Sequence, residues 1–281
     1  MNVLLTSVGR RNYLVRYFRE ALEGRGKVVA TNSFLETSGM MEADISHVVP
    51  SAADPKFLDA LLAVCREQEI RLLFSLHDWE SPFIAAEATR FEKAGVRLGV
   101  SPPEVLETGL DKFATWKFCM RNRLNAPVTF LIEDDALRAL DAGKVRFPLV
   151  VKPRRGQGSL GLHVVYEKAE LSAALLLARA QVARFKDNGL SVKDGGLSVI
   201  IQEFLIGEEF GLDVVNDLEG QFRACLVKRK LGMRAGETDA AESVRDAALE
   251  KFGAAIGCAL GHLGMLDVDV IVRNGQPYLL E

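Results

Sequence analysis

The sequence of 281 residues has only four cysteines, and they lie too far apart to form a CxxC pair. Isolated cysteines of this kind are typical of buried, reduced thiols rather than of a zinc site or a disulfide framework. The sequence also lacks an apolar stretch long enough to cross a bilayer, and its N-terminus lacks the charged and apolar regions of a signal peptide. These absences predict a cytoplasmic protein with no membrane partner.

An excess of charge of one sign is also missing. The 35 basic residues are balanced by 38 acidic ones, which gives a formal net charge of −3. This balance argues against an extended basic surface for nucleic acid, so nucleic acid is not an expected partner. Any site for phosphate must therefore be a local cluster of positive charge. The length is sufficient for two or three compact lobes.

Short apolar runs alternate with amphipathic segments in residues 1–105. The predicted strands are 3–6, 27–32, 71–76 and 96–100, and the predicted helices are 12–23, 57–68 and 82–94. This alternation predicts an α/β fold that begins with a Rossmann-like parallel sheet covered by helices on both faces. Because ligands bind beyond the carboxyl ends of such strands, the loops at 7–11, 31–33 and 77–80 are the expected functional loops.

After Pro102-Pro103 the pattern changes to that of an α+β fold with two lobes, 106–196 and 197–281. Helices are predicted at 111–122, 134–141, 170–184 and 240–263. Strands are predicted at 128–132, 147–152, 162–166, 197–204, 209–216 and 222–228. A polar, glycine-rich turn is expected at 187–196, and the chain ends in a hairpin around Asn274-Gly275.

The strongest local motif is a lysine followed by a glycine-rich loop. An apolar strand ends at Lys152, and Gly156, Gly158, Ser159 and Gly161 follow. Glycines let consecutive backbone N–H groups approach and surround an anion, and lysine places a point charge on phosphate oxygens. The spacing matches neither the GxxxxGKS/T nor the GxGxxG motif. By itself the pattern fits a phosphate-binding loop and a flexible hairpin about equally well.

A second motif interrupts the strand pattern near residue 205. The backbone N–H and C=O groups of such an irregular link are free to pair with the edge of an adenine ring. Glu209, two residues after Gly207, is placed to accept hydrogen bonds from ribose hydroxyls. The alternative is an edge strand with a turn.

Carboxylates come together in the final hairpin. Strand alternation puts Asp267 and Asp269 on one face, and the tight turn returns Glu281 to a position opposite Asp269. Two adjacent carboxylates repel unless a positive charge lies between them, and a hard cation that holds nucleotide phosphates would supply it. A solvated polar face is the alternative.

The ordered set of these motifs resembles the ATP-grasp superfamily, and more narrowly the stand-alone proteins similar to the carbamoyl phosphate synthetase large subunit. The resemblance rests on Asp111-Lys112, Val151-Lys152-Pro153 with Gly156-Gln157-Gly158-Ser159, Gln202-Glu203-Phe204-Leu205, Met233-Arg234-Ala235-Gly236-Glu237-Thr238, and Asp269 with Leu279-Leu280-Glu281. Each fragment is weak alone, and Lys112 alone would be a surface residue. Their order along the whole chain is the specific signal.

The resemblance implies a role for each of these positions. Lys112 and Lys152 would hold the phosphates of ATP, and the loop with Gly156, Gly158 and Ser159 would close over them. The main chain of Glu203 and Leu205 would bind adenine, with Gln202 beside its amino group and Glu209 on the ribose. Asp269 and Glu281 would ligate magnesium, for which manganese is a substitute.

The implied activity is that of an ATP- and magnesium-dependent ligase. It would phosphorylate a small carboxylate, transfer the acyl group to an amine to form a carbon–nitrogen bond, and release ADP and phosphate. Carbamoyl phosphate formation, chemistry through carboxyphosphate, and a non-catalytic nucleotide-binding regulatory subunit are the alternatives. A Rossmann oxidoreductase is disfavoured because the first turn lacks the three-glycine fingerprint. Dimers are common among the relatives, so a homodimer is a candidate assembly.

Two departures from the family pattern affect the site. The resemblance implies an asparagine and an arginine beyond Glu281, where this sequence ends, so a chain without them is expected to bind nucleotide poorly. D-alanine ligases carry an arginine at the position of Asp267, so the cation that stabilises the phosphoryl group must come from elsewhere. Arg229 and Arg234 are the candidates; the alternative is that Lys228, Arg229 and Lys230 are simply a solvated strand end.

Residues that would bind the substrates are expected in the loops of the N-terminal lobe. The candidates are Arg10, Arg11, His77, Asp78 and Glu80. His77 fits a structural role in its loop equally well.

Overall fold

A computed structural model describes residues 1–156, 158, 160–184, 197–234 and 236–281. The chain divides into two compact units, Met1–Leu106 and Glu107–Glu281. None of the helices in the described ranges has the length and apolar character needed to span a bilayer. The predicted turn at 187–196 lies outside the described residues.

The first unit is built around a five-stranded parallel sheet in the order β3-β2-β1-β4-β5. Its strands are β1 (Asn2–Thr6), β2 (Val28–Asn32), β3 (Ile45–Val48), β4 (Ile70–Ser75) and β5 (Arg97–Leu98). Its helices are α1 (Asn12–Leu22), α2 (Ser38–Glu42), α3 (Phe57–Glu67), α4 (Ser81–Ala86) and α5 (Ala88–Lys93). The strand order reverses between β1 and β4, so the topological switch point lies at their carboxyl ends.

Apolar residues on both sides of β1 explain why this sheet is buried. Leu4 belongs to a core with Leu61 of α3, and Leu5 to a separate core with Val15 of α1. Successive side chains of a strand point to opposite faces, so a continuous apolar run needs a helix layer on each side. The prediction of a parallel sheet with helices on both faces is confirmed.

The second unit contains two antiparallel sheets. A small sheet has the order β6-β9-β7-β8 and a large sheet the order β12-β11-β10-β13-β14. The strands are β6 (Thr129–Phe130), β7 (Leu149–Pro153), β8 (His163–Val165), β9 (Val199–Glu203), β10 (Glu208–Asn216), β11 (Phe222–Arg234), β12 (Glu237–Val244), β13 (Gly264–Arg273) and β14 (Gln276–Leu279). The helices are α7 (Lys112–Asn122), α8 (Glu133–Asp141), α9 (Lys168–Arg184) and α10 (Ala247–Leu260), and α6 (Pro103–Leu110) runs across the division between the units.

Each sheet of the second unit has one apolar and one polar face. Val151 and Ile201 of the small sheet pack in a core with α8 and α9, whereas their neighbours Lys152 and Gln202 point the other way. Leu212 and Val268 of the large sheet pack in a core with α10. The opposite face of the large sheet carries Glu209, Gly211, Asp213, Lys228, Lys230, Asp267 and Asp269. We call this the charged face.

Helix α10 lies close to the large sheet because glycines line its contact surface. A Cβ atom added at Gly253 would lie 2.4 Å from Sγ of Cys225, and one added at Gly257 would lie 2.9 Å from Val214. The close approach of this helix supports the apolar face of β10 and β11, and therefore fixes the strands that carry the charged face.

The predicted helix at 240–263 is wrong over its first part. Residues Glu237–Val244 form β12, which pairs with β11 through contacts such as Arg229 with Glu242. The alanines and glutamates of this segment favour a helix locally, but antiparallel pairing prevails over weak propensity. The helix begins at Ala247, where Asp246 accepts hydrogen bonds from the backbone N–H groups of Ala248 and Leu249.

Other differences are smaller. The predicted helix at 82–94 is divided at Glu87 into α4 and α5, and the short elements α2, β3 and α6 were not predicted. Cys258 is exposed rather than buried, although the other three cysteines are buried as expected and none of the four forms a disulfide. The turn at Asn274-Gly275 is confirmed, because both residues have positive φ angles, 53° and 74°.

Candidate functional site

Asp111 and Arg154 connect the start of α7 to the end of β7. The Asp111 carboxylate accepts hydrogen bonds from the backbone N–H groups of Phe113 and Ala114, and so caps the helix. It also accepts from Nε of Arg154 at 2.7 Å and from the second guanidinium nitrogen at 2.5 Å. Burial tends to raise the pKa of Asp111, but Arg154 and the two N–H groups outweigh it and hold the pKa below its ordinary value.

This connection places Lys112 beside the glycine-rich loop. The backbone N–H of Lys112 donates to the carbonyl oxygen of Arg154 at 3.0 Å. Its Nζ atom donates to the carbonyl oxygen of Gly156 at 2.7 Å and lies 2.7 Å from Oε2 of Glu281. The Lys112 side chain is only 9% exposed. A buried ammonium thus joins the loop to the last residue of the hairpin.

Lys152 lies at the end of β7 and is 8% exposed. Burial lowers its pKa to about 8; Glu281 and Asp269 act to raise the pKa, and Lys112 acts to lower it. Glu281, Lys112 and Asp269 therefore each lie within electrostatic reach of Lys152. The two lysines that sequence analysis predicted to share a site therefore belong to one cluster.

The hairpin brings Asp269 and Glu281 together. The Asp269 N–H donates to the carbonyl oxygen of Glu281 at 2.8 Å, and the Leu280 N–H donates to the carbonyl oxygen of Asp269 at 2.8 Å. Burial tends to raise the pKa of the Glu281 carboxyl, but Lys112, Lys152 and Lys230 keep it below its ordinary value. The Glu281 carboxylate is therefore held in the ionised form that a cation binds.

The donor set of these two residues fits magnesium. Asp269 is partly exposed, and its Oδ1 atom lies 2.5 Å from Nζ of Lys230; Glu281 is paired with Lys112. A lysine ammonium group thus lies beside each carboxylate. A positive charge is expected there, because the two carboxylates would otherwise repel each other. Mg²⁺ commonly binds one or two protein carboxylates and completes its shell with water and substrate phosphates, so two carboxylates suffice.

The predicted adenine-binding residues lie along β9 and the link that follows it. Nε2 of the buried Gln202 donates to Oγ1 of Thr129 at 2.9 Å. The Glu203 N–H donates to the Val128 carbonyl oxygen, and the Glu203 carboxylate pairs with Arg273 at 2.9 Å. Glu203 thus has only its carbonyl group to offer a base.

Leu205 follows in the link and is 6% exposed. Within the described part of the chain, neither of its backbone groups forms a hydrogen bond. The Leu205 N–H is a free donor, and the Glu203 carbonyl, two residues earlier, is a free acceptor among the described residues. A donor and an acceptor side by side are the pattern needed by an adenine edge.

A cavity of about 480 Å³ opens beside this link. Its lining includes Gly207, Glu209, Lys230 and Met233. The predicted ribose-binding carboxylate and a charged lysine of the large sheet therefore border the same space. This volume is in the range of small-ligand pockets.

The glycine-rich loop adopts backbone conformations that few other residues favour. Gly156, Gly158 and Gly161 have φ angles of 124°, 69° and 74°. A Cβ atom on Gly161 would also lie 2.9 Å from the side chain of Gln181 on α9. Ser159, predicted to bind phosphate, lies outside the described residues, as does Gln157.

The two candidate arginines both form ion pairs with carboxylates of β12. Arg229 pairs with Glu242 at 2.6 Å and Arg234 with Asp239 at 2.9 Å, and all four side chains are substantially exposed. Strand alternation puts Arg229 on the opposite face from Lys228 and Lys230, although it borders the cavity. The structure therefore does not bring either guanidinium into the lysine–carboxylate cluster.

In the first unit, two loops meet at the switch point between β1 and β4. The Ser7 hydroxyl donates to Oε1 of Glu80, and Ser7 has a positive φ of 47°. Glu80 is 7% exposed, and its Oε2 atom has no hydrogen-bond partner within the described residues. Nδ1 of His77 accepts from the Trp79 N–H at 3.2 Å, so this histidine has a structural role in its loop. Asp78 and Arg10 are exposed, and Arg11 is half-buried.

Sequence analysis missed several members of the charged face. Lys230 contacts Asp269, and Lys228 contacts Asp213 at 2.7 Å. The sequence contained a signal for this face. Lys228 and Lys230 are two residues apart on β11, and Glu209 and Asp213 are four residues apart on β10, so each pair lies on one face of its strand. Each strand pattern by itself, however, is equally typical of an ordinary antiparallel strand with a solvated end.

Comparison with known proteins identifies two family domains in the chain. Residues 3–98 match the PylC-like N-terminal domain family, and residues 145–244 match the ATP-grasp domain family. A carbamoyl phosphate synthase large chain from Pseudomonas putida is 30% identical over 124 residues, which are 43% of this chain and 11% of that protein. A D-alanine–D-alanine ligase from Lacticaseibacillus casei is 26% identical over 205 residues, which are 71% of this chain and 53% of the ligase.

The fold is also that of a solved enzyme. Biotin carboxylase from Campylobacter jejuni, crystallised as a complex with βγ-ATP, matches with a TM-score of 0.76 and 16% identity over 99% of this chain and 64% of that one. The chain spans well under two thirds of the two sequence relatives described above. The family matches identify a PylC-like N-terminal domain at residues 3–98 and an ATP-grasp domain at residues 145–244, and the two antiparallel sheets of the second unit agree with the second match.

Proposed function

We propose that this protein is an ATP- and magnesium-dependent ligase that joins a carboxylate to an amine through an acyl phosphate and releases ADP and phosphate. The observation that carries the proposal is the convergence of two buried lysines with two adjacent carboxylates. Lys112 contacts Glu281 at 2.7 Å, and Lys152 is within electrostatic reach of Glu281 and Asp269. Manganese would substitute for magnesium at the same oxygen ligands.

In this proposal the cluster binds the triphosphate. Lys112 and Lys152 direct their ammonium groups to phosphate oxygens, and the N–H groups of Gly156, Gly158 and Gly161 add further donors. Asp269 and Glu281 hold the metal. Magnesium, when bound, neutralises charge on the β- and γ-phosphates and fixes their positions. The burial of both lysines supports a strong interaction, because charges attract more strongly in a site of low dielectric constant.

The nucleoside would lie against the link after β9. The free backbone carbonyl of Glu203 and N–H of Leu205 are a matched acceptor and donor for the adenine edge. Gln202 lies on the same face of the small sheet as Lys152. Glu209, which borders the cavity, would accept hydrogen bonds from the ribose hydroxyls.

The chemistry follows from the poor reactivity of a carboxylate. Direct attack by an amine would require oxide as the leaving group. A carboxylate oxygen instead forms a bond to the γ-phosphorus as the bond from that phosphorus to the β-phosphate oxygen breaks, and ADP leaves with the electron pair. The amine nitrogen then attacks the acyl carbon, phosphate leaves, and the nitrogen loses a proton. The protein aligns the partners and neutralises charge on the phosphoryl oxygens.

The loops at the switch point of the first unit are proposed to bind the amine substrate. The unpaired Oε2 atom of Glu80 supports this role, because a buried carboxylate oxygen without a partner is expected to accept a hydrogen bond from a ligand. Arg10 and Arg11 on the neighbouring loop would bind an anionic group of a substrate. An amino acid carries both the ammonium and the carboxylate that such loops recognise.

The proposal is tested by substrate-dependent release of ADP. The protein is incubated with Mg-ATP and pairs drawn from a library of amino acids and small acids, and ADP is measured by a coupled assay. We expect ADP release only when a carboxylate and an amine are both present. Release that depends on bicarbonate alone would favour carbamoyl phosphate or carboxyphosphate chemistry, which the relative from Pseudomonas makes the second candidate. Binding of Mg-ATP without ADP release under any condition would favour a regulatory subunit.

Two further proposals concern the setting of the enzyme. Free thiols at all four cysteines support a reducing compartment, so we place the protein in the cytoplasm. A homodimer is the proposed assembly, and analytical ultracentrifugation would test it; a monomer at micromolar concentration would contradict this assignment.

A further inference from the structure

Lys230 is a third buried lysine at the cluster of Lys112 and Lys152. Its side chain is 8% exposed, and its Nζ atom lies 2.5 Å from Oδ1 of Asp269. It also acts on the Glu281 carboxyl, together with the other two lysines. The five side chains comprise three ammonium groups and two carboxylates, and the Asp267 carboxylate lies on the same face of the sheet. Three ammonium groups in one cluster can direct several hydrogen-bond donors at an anion such as a phosphate.

The geometry of the large sheet directs Lys230 to this position. The residue lies on β11 with its side chain on the charged face, and Gly211 on β10 leaves the space that the lysine stems cross. A Cβ atom on Gly211 would lie 3.4 Å from Cε of Lys228 and 3.8 Å from Cε of Lys230. A larger residue at this position would crowd both lysines away from the sheet.

Three other cations of β11 form ion pairs with carboxylates outside the cluster. Arg229 and Arg234 pair with Glu242 and Asp239. Lys228 lies 2.7 Å from Oδ1 of Asp213 and 3.6 Å from Oδ1 of Asp267, so two carboxylates compete for it. Among these four, only Lys230 shares a carboxylate with the proposed metal and also borders the cavity.

We propose that Lys230 is the cation that binds the γ-phosphoryl group during its transfer, the role for which sequence analysis offered Arg229 and Arg234. Lys230 neutralises Asp269 through their ion pair. With a metal held by Asp269, the Lys230 ammonium group would be available to the oxygens of the γ-phosphate and then of the acyl phosphate. This inference rests on the proposed function, because it assigns a residue to the same nucleotide site.

The test compares nucleotides with and without a γ-phosphate. Dissociation constants are measured by calorimetry in excess Mg²⁺ for ADP and for the non-hydrolysable analogue AMP-PNP. They are measured for the unmodified chain and for Lys230→Met, Lys230→Arg and Lys228→Met. The Lys228 variant is a matched control, because it removes an ammonium group from the same face of the same strand. Circular dichroism checks that each variant is folded.

The expected result is specific to the γ-phosphate. Lys230→Met should weaken AMP-PNP at least tenfold and ADP less than threefold, and Lys230→Arg should restore most of the loss. Lys228→Met should change both constants less than threefold. Equal weakening of ADP and AMP-PNP by Lys230→Met, or no weakening of either, overturns the inference and leaves the proposed function intact. If the unmodified chain binds neither nucleotide, the proposed function itself fails.

Discussion

The Nζ atom of Lys112 lies 2.7 Å from Oε2 of Glu281, although the two residues are near opposite ends of the second unit's sequence. The same ammonium group donates to the carbonyl oxygen of Gly156. One buried charge therefore connects the helix start, the glycine-rich loop and the carboxylate hairpin. This ion pair joins groups that are proposed to bind phosphate and metal, so nucleotide binding would require Lys112 and Glu281 to exchange partners.

Lys112→Met and Lys152→Met should each weaken binding of Mg-ATP. Hydrogen bonds to charged groups contribute about 1.5–3 kcal/mol, which corresponds to a roughly 10- to 150-fold increase in Kd. Lys117→Met is the matched control for the first variant, because Lys117 lies on the same helix and its Nζ is over the Phe113 ring at 4.7 Å. Calorimetry with AMP-PNP measures the effect. Equal affinities in all three variants would contradict the phosphate role.

Nucleotide affinity should fall as the pH rises through 8. Burial lowers the pKa of Lys152 to about 8 in the free chain, so its ammonium form is present below this pH and is lost above it. Phosphate binding stabilises the ammonium, so binding at pH 9 must take up a proton, and the Kd should rise by up to tenfold per pH unit. Calorimetric titrations at pH 7, 8 and 9 in buffers of different ionisation enthalpy measure both the Kd and the number of protons taken up on binding. Lys152→Met should abolish this pH dependence.

Breaking the pair of Asp111 with Arg154 should destabilise the second unit. The Asp111 side chain is 1% exposed, so Arg154→Ala would leave a buried carboxylate without its main partner. Loss of one member of a buried ion pair costs about 3–5 kcal/mol, and urea denaturation would measure it. Arg138→Ala is the control, since Arg138 is in an exposed pair with Asp135. A decrease below about 1 kcal/mol in the free energy of unfolding of Arg154→Ala would contradict the stabilising role of this ion pair.

The same pair should make stability sensitive to acid. The pKa of Asp111 is lowered in the folded chain, so its contribution is present above the unfolded pKa of about 4 and is lost as the pH falls through the folded value. Asp111→Asn removes this carboxylate while it keeps a side-chain oxygen for the helix cap. The variant should be less stable at pH 7, and the difference from the unmodified chain should shrink below pH 4. A difference that is constant between pH 7 and pH 3 would exclude this linkage.

Glu80→Gln should affect the amine substrate and not the nucleotide. The amide retains an oxygen for the Ser7 hydroxyl but removes the negative charge beside the proposed amine. We expect KM for the amine to rise at least tenfold, whereas the Kd for Mg-ATP changes less than twofold. Glu87→Gln, at the half-buried junction of α4 and α5, is the control. An unchanged KM for the amine would remove Glu80 from substrate binding.

Much of this site was predictable because local rules govern its parts. The strand before Lys152, the glycines after it and the tight turn before Glu281 each have a local signature, and their order suggested one nucleotide site. The alternation of Asp267 and Asp269 likewise follows from strand geometry alone. These features depend on neighbouring residues, which a sequence displays directly.

The parts that escaped prediction depend on pairing between distant strands. The segment Glu237–Val244 has the composition of a helix and becomes a strand only because β11 is available to pair with it. That pairing directs Arg229 to Glu242, while Lys230 on the opposite face reaches Asp269. Which cation of a basic strand enters the site is decided by its face and by its partners across the sheet, and a single strand pattern does not contain those partners.

A crystal structure with AMP-PNP and Mn²⁺, with anomalous data collected to locate the metal, tests the central claim most directly. We predict a manganese peak ligated by Asp269 and Glu281, at roughly 2.2 Å from their oxygens, with the phosphates contacted by Lys112 and Lys152. A nucleotide bound away from these lysines, or manganese held by other residues, would contradict the account.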